Sequence, residues 1–206
     1  VRQELAEICK KFYKNKPKNI IAVTGTNGKT SVADFFHQIL SINKIPVASI
    51  GTLGIKKNKN IKQSNLTSPD IISLHKELSN LKKSKINNVI IEASSHGLAQ
   101  ERLSGIDFKA GIFTNLSHDH LDYHKSMKNY FNAKMILFTK LLKINRYIIT
   151  DSSIKEFLKI KKVAKKNKLK ILTINKLLSK KNFSSNLVGS FQIKNLLMSS
   201  TAAQLC

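Results

Sequence analysis

The stretch Ile20-Ile21-Ala22-Val23-Thr24-Gly25-Thr26-Asn27-Gly28-Lys29-Thr30, followed by the amphipathic run Ser31 to Ile42, decides how this chain is read. Four apolar residues, a small polar loop and a helical pattern describe a buried strand that turns directly into a helix. A loop that wraps phosphate needs small residues, so that backbone N–H groups point inward, and a lysine to neutralise the outer charges. Gly25, Thr26, Asn27, Gly28, Lys29, Thr30 and Ser31 supply both, and the amino end of the helix adds partial positive charge. Thr30 stands where a hydroxyl would meet Mg2+ beside the phosphates. The strict G-x-x-x-x-G-K-[ST] spacing would place glycine where the chain has Val23. An ordinary turn and helix cap would not explain the strand before the loop and the helix after it, so the expected ligand is ATP with Mg2+.

Working outward, Arg2 to Tyr13 carries Leu5, Ile8, Cys9 and Phe12 at helical spacing, and Asn15-Lys16-Pro17 closes that helix. Val47 to Ile55 reads as a strand punctuated by Gly51 and Gly54, and Lys56 to Ser64 as an exposed hairpin or loop. Ser68-Pro69-Asp70 predicts a helix over Ile71 to Leu81, with Ser68 as cap and Pro69 in the first turn. Strands follow at Val89 to Ile91, ending on Glu92, and at Ala110 to Leu116, ending near Asn115 and His118. Beyond them come a helix over Tyr130 to Leu142, a strand at Tyr147 to Thr150, a helix over Ile154 to Lys166, a strand at Leu169 to Ile174 and a helix over Phe191 to Cys206. Short apolar strands alternating with helices predict an α/β fold, a mostly parallel sheet flanked by helices. Ligands of such sheets gather beyond the carboxyl ends of the strands, which puts Thr24-Gly25, Glu92 to His96 and Thr114 to His120 on one edge. A carboxylate directly after Val89-Ile90-Ile91 is poorly placed for an ordinary surface residue.

Length and composition, 206 residues with 41% hydrophobic, suit one sizeable domain with a leader, and no apolar run is long enough to span a bilayer. No secretory signal pattern is visible, and Cys9 and Cys206 lie at opposite ends without metal-ligand spacing, which fits a reducing cytoplasm. The net charge of +24 suggests nucleic acid or an anionic membrane. Only three of the 36 basic residues are arginine, however: Arg2, Arg102 and Arg146. Lys, Asn and Ile are all abundant and share AT-rich codons, so base composition with lysines scattered over solvated faces is the competing explanation. A nucleic-acid reader is expected to use arginine forks and interleaved aromatics, and is not the favoured reading. Lysine-rich patches such as Lys161 to Lys170 are the nearest thing to low complexity. His118, His120 and His124 raise a zinc reading, ranked lower because no further ligand completes a tetrahedral set.

The string TGTNGKT (Thr24–Thr30) is similar to the ATP loop of the Mur ligases, whose glycine spacing shows the same variant. With LTSP (Leu66–Pro69), EASSHGLAQERL (Glu92–Leu103), FTNLSHDHLDYH (Phe113–His124) and NAKMILF (Asn132–Phe138) in order, the chain resembles the MurE type of that family from Asn19 to Leu142, and more weakly to Gly189-Ser190-Phe191. The resemblance implies a P-loop-type central domain over 19–206, with 1–18 the end of a preceding domain and its linker helix. It implies flanking domains, for the uridine nucleotide and for the incoming amino acid, that this chain does not contain. The implied activity is ATP-dependent addition of a third amino acid, diaminopimelate or lysine, to UDP-N-acetylmuramoyl-L-Ala-D-Glu through an acyl phosphate, in the cytoplasm and as a monomer. Lys29, Lys134 and His120 would be catalytic, with Lys134 carbamylated. Thr30, Glu92 and His120 would hold Mg2+, and Thr67, Ser68, Ser94, Gln100 and Arg102 would bind the muramoyl-peptide. Arg102 stands out because a retained arginine in a lysine-rich chain suggests a need for its planar fork.

The chain departs from the family at Leu66, where Asn is usual, at His118, where Arg is common, at Thr150-Asp151-Ser152-Ser153, where an Asn-Ala-Asp-Asp run is typical, and at Gln192, where Asn is usual. Ile174 to Gly189 is shorter than the expected β-rich segment. The rival readings are another Mur ligase or a folylpolyglutamate synthase-like ligase, a basic nucleotide- or nucleic-acid-binding module without catalysis, and a degenerate relative. Salt-dependent DNA affinity would separate the binding module, and amino-acid-dependent ADP release would rule out the degenerate one.

Overall fold

A computed structural model describes residues 2–57, 60–63, 66–175, 187 and 189–206. In chain order its strands are β1 (Asn19–Thr24), β2 (Val47–Gly51), β3 (Gly54–Lys57), β4 (Asn60–Lys62), β5 (Asn88–Glu92), β6 (Ala110–Phe113), β7 (Tyr147–Thr150) and β8 (Lys170–Thr173). The helices are α1 (Arg2–Phe12), α2 (Lys29–Ile42), α3 (Ile71–Lys83), α4 (Ser95–Ala99), α5 (Leu121–His124), α6 (Met127–Ile136), α7 (Phe157–Lys166) and α8 (Ser190–Ala203). The eight strands form one sheet in the order β4-β3-β2-β5-β1-β6-β7-β8. β2, β5, β1, β6, β7 and β8 run parallel, and antiparallel pairing is confined to β2–β3 and β3–β4 at one edge.

β1 lies inside the sheet between β5 and β6, and every residue in it is buried. Ile20 and Ala22 join the core on one face, with Leu74, Leu78, Val89, Phe113 and Phe138, while Ile21 and Val23 join Val32, Phe36, Leu40 and Leu197 on the other. A strand covered on both faces must be apolar throughout, which is why the sequence shows a run here and not an alternation. α8 lies along α2, and Ser199 of α8 donates to the Val32 carbonyl at 2.9 Å. Cys9 is buried, Cys206 is exposed, and both are free. Among the described residues no helix is long and apolar enough to cross a membrane.

Several sequence expectations are corrected. Val47 to Ile55 is not one strand: Gly51 pairs with Gly54, so the chain reverses between β2 and β3. Ser68 does not cap α3. Asp70 does, accepting from the Ser73 N–H at 3.0 Å, which leaves Pro69 ahead of the helix. The helix expected over Tyr130 to Leu142 is α6 followed by a π-helical turn at Leu137–Leu141, where the Leu142 N–H reaches back to Leu137. That extra residue in the turn keeps Leu137 and Phe138 both fully buried. β6 stops at Phe113, not Leu116, because the following residues leave the ladder to grip the phosphate loop. The shortened Ile174 to Gly189 segment lies largely outside the described residues, as do positions 58, 59 and 64 of the Lys56 to Ser64 loop.

Candidate functional site

The loop between β1 and α2 is shaped by two glycines and a clamp. Gly25 has φ +149°, and a Cβ there would lie 1.8 Å from Thr114 Oγ1. Gly28, the residue before α2, has φ +86°, and its Cβ would meet Asn195 Oδ1 at 2.7 Å. Neither position accepts a side chain without displacing its neighbour, and Gly28 also needs left-handed backbone. The clamp comes from the residues after β6. The Thr26 N–H donates to the Asn115 carbonyl at 2.9 Å and the Asn27 N–H to Asn115 Oδ1 at 3.0 Å, while Thr114 Oγ1 donates to the Asn27 carbonyl at 2.7 Å. Thr26 Oγ1 accepts from the Ser117 N–H at 2.9 Å and from the Tyr130 hydroxyl at 3.3 Å. Reading the sequence assigns no role to Thr114, Asn115, Ser117 or Tyr130. The signal of Thr114, Asn115 and Ser117 was position, directly beyond β6 beside the loop; Tyr130, on α6, had none.

Two lysines converge on the loop. Lys29 donates to the carbonyls of Gly25 at 3.1 Å and Thr26 at 2.8 Å. Burial lowers its pKa, against the opposing pull of Glu92 and Asp119. Lys134, only 1% exposed, donates to the Gly25 carbonyl at 2.7 Å and sits 4.2 Å above the Tyr130 ring. Burial, reinforced by the nearby charge of Lys29 and opposed by Asp119, pushes its amine down to about 7. Two lysine side chains donating to one carbonyl in a partly dry site leave positive potential that favours an anionic visitor.

Glu92 is 2% exposed and wholly engaged. It accepts from Thr30 Oγ1 at 2.9 Å, from the Thr52 N–H at 3.0 Å and from Thr52 Oγ1 at 3.2 Å. Thr52 is within reach only because the chain reverses after β2, so the misread strand is also what hid this residue. A cavity of about 290 Å³ is bounded by Thr26 to Ser31, Thr52, Thr67, Ser94, Ser95, His120, Tyr130 and Lys134. His120 has left-handed backbone, φ 52°, with Nε2 3.3 Å from Asp119 Oδ2. Among the described residues no three His, Cys, Asp or Glu side chains converge as a metal cluster, which counts against the zinc reading. The ring of His124 turns instead toward His96 and Tyr130. The Thr30 hydroxyl and Glu92 carboxylate are hard oxygen donors that suit Mg2+, with His120 on the wall of the same cavity.

The residues expected to meet the muramoyl-peptide divide into two groups. Thr67 and Ser94 border the cavity, while Ser68, Gln100 and Arg102 stand behind them. Ser68 is buried and donates to the Glu92 carbonyl at 2.8 Å while accepting from the Ser94 N–H at 3.0 Å. Ser94 caps α4 through the Gly97 N–H. Arg102 donates to the Ser68 carbonyl at 2.9 Å and to Gln100 Oε1, and Gln100 reaches the Tyr123 hydroxyl at 3.4 Å. The arginine fork thus reads protein groups that fix the position of Ser68. A second cavity, about 380 Å³, lies on the other flank of the loop between Asn27, Gly28, Ser31, Asn115, Phe191 and Asn195. Its exposed Phe191 ring and its side-chain amides offer an aromatic surface with hydrogen-bonding groups, a combination the sequence reading did not single out.

The chain matches the Mur ligase middle domain over residues 23–184. It is 38% identical, over 96% of its own length and 47% of the relative's, to a UDP-N-acetylmuramoyl-L-alanyl-D-glutamate--2,6-diaminopimelate ligase of Rickettsia bellii. A solved structure of a ligase of that name superposes with a TM-score of 0.83 at 29% identity, over 99% of this chain and 47% of that one. A bifunctional folylpolyglutamate synthase/dihydrofolate synthase, solved with Mn, AMPPNP and L-glutamate bound, superposes with a TM-score of 0.65 at 14% identity, over 83% of this chain and 47% of that one, and shares the fold alone. The chain spans about half the length of the curated relative it matches.

Proposed function

The chain belongs to the Mur ligase family, and on that premise we propose that it is the ATP- and Mg2+-binding part of a ligase that extends UDP-N-acetylmuramoyl-L-Ala-D-Glu by one amino acid. The observation that carries this reading is one cavity bounded by the phosphate loop, Lys29, Lys134 and Thr30, with buried Glu92 held by Thr30 and Thr52. Two relatives with this chemistry in their names, one at 38% identity and one at a TM-score of 0.83, support the substrate, and the diaminopimelate they name is the amino acid proposed. A cytoplasmic, monomeric enzyme is part of the same proposal.

The reaction needs positioning and charge neutralisation more than a protein nucleophile. An oxygen of the peptide carboxylate attacks the γ-phosphorus, ADP departs, and an acyl phosphate forms. The incoming amine then attacks the acyl carbon, inorganic phosphate leaves with the C–O bond electrons, and the nitrogen loses a proton. Lys29 and the α2 amino end would hold the phosphates, and Phe191, Asn115 and Asn195 would take the base on the other flank of the loop. Bound Mg2+, held by Thr30, Glu92 and His120, would neutralise phosphate charge and orient its oxygens. Thr67 and Ser94 would meet the muramoyl-peptide, with Ser68, Gln100 and Arg102 fixing their positions.

Lys134 is the group whose chemistry changes most. An amine that titrates near neutrality is substantially uncharged and can attack CO2, giving a carbamate and a proton. The product would place a negative charge near Lys29 and the Mg2+ ligands. In the full-length protein, sustained ADP release over many turnovers should require both the muramoyl-dipeptide and the amino acid. Release driven by a folyl substrate, with none from the muramoyl-dipeptide, would overturn the assignment.

A further inference from the structure

The positive charge is not spread evenly over the fold. Residues 137–170 carry eleven lysine and arginine side chains against Asp151 and Glu156, so +9 of the net +24 falls in this one segment. That is about three times the charge density of the rest of the chain. Asp151 is buried in an ion pair with Lys194 and presents no charge outward. Base composition explains why the cations are lysine, but not why they collect at one edge of the sheet.

The segment folds into a continuous surface. On α7, Ile160 and Ala164 face the core, while Leu158, Lys159, Lys161, Lys162, Lys165 and Lys166 are exposed. The loop before β7 and the loop before β8 are tied by the Asn145 N–H donating to the Lys168 carbonyl at 2.9 Å and the Lys170 N–H to the Arg146 carbonyl at 2.9 Å. Between them runs a groove of about 570 Å³ bordered by Lys140, Lys143, Ile144, Lys166 and Lys168. Lys143 and Arg146 share Asp107, and Lys165 and Lys166 also favour the carboxyl end of α7 through the helix dipole. Those roles account for four of the eleven cations. Two aliphatic side chains stand out among the lysines, Leu158 at 70% and Ile144 at 64% exposure.

We propose that this face, the outer side of α7 with the loops before β7 and β8, docks the protein on an anionic lipid surface. Charge complementarity selects a polyanion. The composition selects a membrane over a nucleic acid: one arginine among eleven cations gives few forks for phosphate or base, and Tyr147, which could stack a base, is covered by the Lys170 ammonium 5.7 Å away. Leu158 on α7 and Ile144 in the loop before β7 project among the lysines and would add apolar contact with the headgroup layer to the attraction of the charges. The groove sits at the amino ends of β7 and β8, opposite the carboxyl-end edge that holds the phosphate loop, so docking leaves the nucleotide cavity facing away from the lipid.

The test is co-sedimentation with vesicles of phosphatidylcholine alone or mixed equally with phosphatidylglycerol. The chain should bind only the mixed vesicles and be released by salt. The variant K161E/K162E/K165E/K166E should lose about 100-fold or more of its partition coefficient, following the roughly fivefold that each lysine near such a surface contributes. K10E/K11E/K14E/K76E changes net charge equally on α1, the chain after it and α3, which packs on α1 away from this face, and should keep most of the binding. Leu158→Ser, which alters no charge, should weaken binding severalfold, and retained ATP affinity in the fourfold variant shows that its loss of vesicle binding is not misfolding. Equal loss in both fourfold variants would reduce the effect to net charge and overturn the proposal. So would vesicle binding that survives K161E/K162E/K165E/K166E, or duplex DNA bound more tightly than the mixed vesicles and released by the same variant.

Discussion

At the scale of residues, the most informative is Lys134. A lysine inside a helix of a chain with 36 basic residues gives no sequence reason to be singled out, and only the motif around it marked the position. The fold supplies the reason: burial between Tyr130 and the Gly25 carbonyl, with Lys29 nearby, lowers its amine to about 7. An unfolded chain holds that proton up to the ordinary value of 10.5, so between about 7 and 10.5 unfolding takes up a proton. The penalty of burying the cation is therefore complete below pH 7 and fades as pH rises toward 10.5. Urea denaturation of wild type and Lys134→Met should show wild type gaining on the variant between pH 7 and 10; a constant gap would mean the amine is not perturbed. With labelled bicarbonate, 13C NMR of the wild type should show a carbamate signal missing from the variant. Glu92 was more legible, since its place after three apolar strand residues already argued against a surface role, and it is 2% exposed. Arg102 was legible as an unusual residue, but its immediate partners, Ser68 and Gln100, were beyond reach because they depend on how α4 turns back.

Among elements, the loop from β1 into α2 was readable almost to the residue, because phosphate binding, left-handed backbone and helix initiation demand particular residue types at adjacent positions. The clamp on it was not, since Thr114, Asn115 and Tyr130 meet the loop across about ninety to one hundred residues of sequence. Gly25→Ala would drive a methyl group into Thr114 Oγ1 and should abolish nucleotide binding while the chain still folds, as seen by circular dichroism with a titration of ATP. β2 and β3 were misread for a local reason: Val47 to Ile55 is apolar enough for one strand, and the reversal at Thr52-Leu53 has no proline or asparagine to announce it. α8 is fastened to the end of β7 by Asp151, which forms an ion pair with Lys194 and accepts hydrogen bonds from Ser153 and from Asn175. Burial opposes its ionisation, yet these donors prevail and hold its pKa at about 2. A depressed carboxyl stabilises the fold above its unfolded value of 3.8 and loses that contribution as pH falls toward 2. Asp151→Ala should cost about 2 kcal/mol at pH 7, the worth of hydrogen bonds to a buried carboxylate whose partner Lys194 is 38% exposed and can return to water, and much less at pH 2. Because α8 carries Phe191 and Asn195, the same change should weaken ATP more than inorganic pyrophosphate.

For the whole molecule, the α/β architecture was legible because strand and helix periods alternate cleanly, and the burial of β1 followed from its unbroken apolar run. The order of eight strands and the edge hairpin were not legible, since crossovers are set by packing and not by local pattern. Composition gave the charge but not its distribution, and a lysine count could not show that loops before β7 and β8 lie side by side. A net charge of +24 on one domain should make the fold repel itself, so the thermal midpoint should rise with sodium chloride until the charges are screened. A flat response would place the cations too far apart to interact. The central claim is that the loop from Gly25 to Thr30 holds the phosphates of ATP with Lys29 as their counter-charge, and calorimetric titration of ATP with and without Mg2+ tests it most directly. Wild type should bind more tightly with Mg2+, and Lys29→Ala should bind about 10- to 100-fold more weakly, the worth of a charge-assisted hydrogen bond; equal affinity in the two proteins would contradict it.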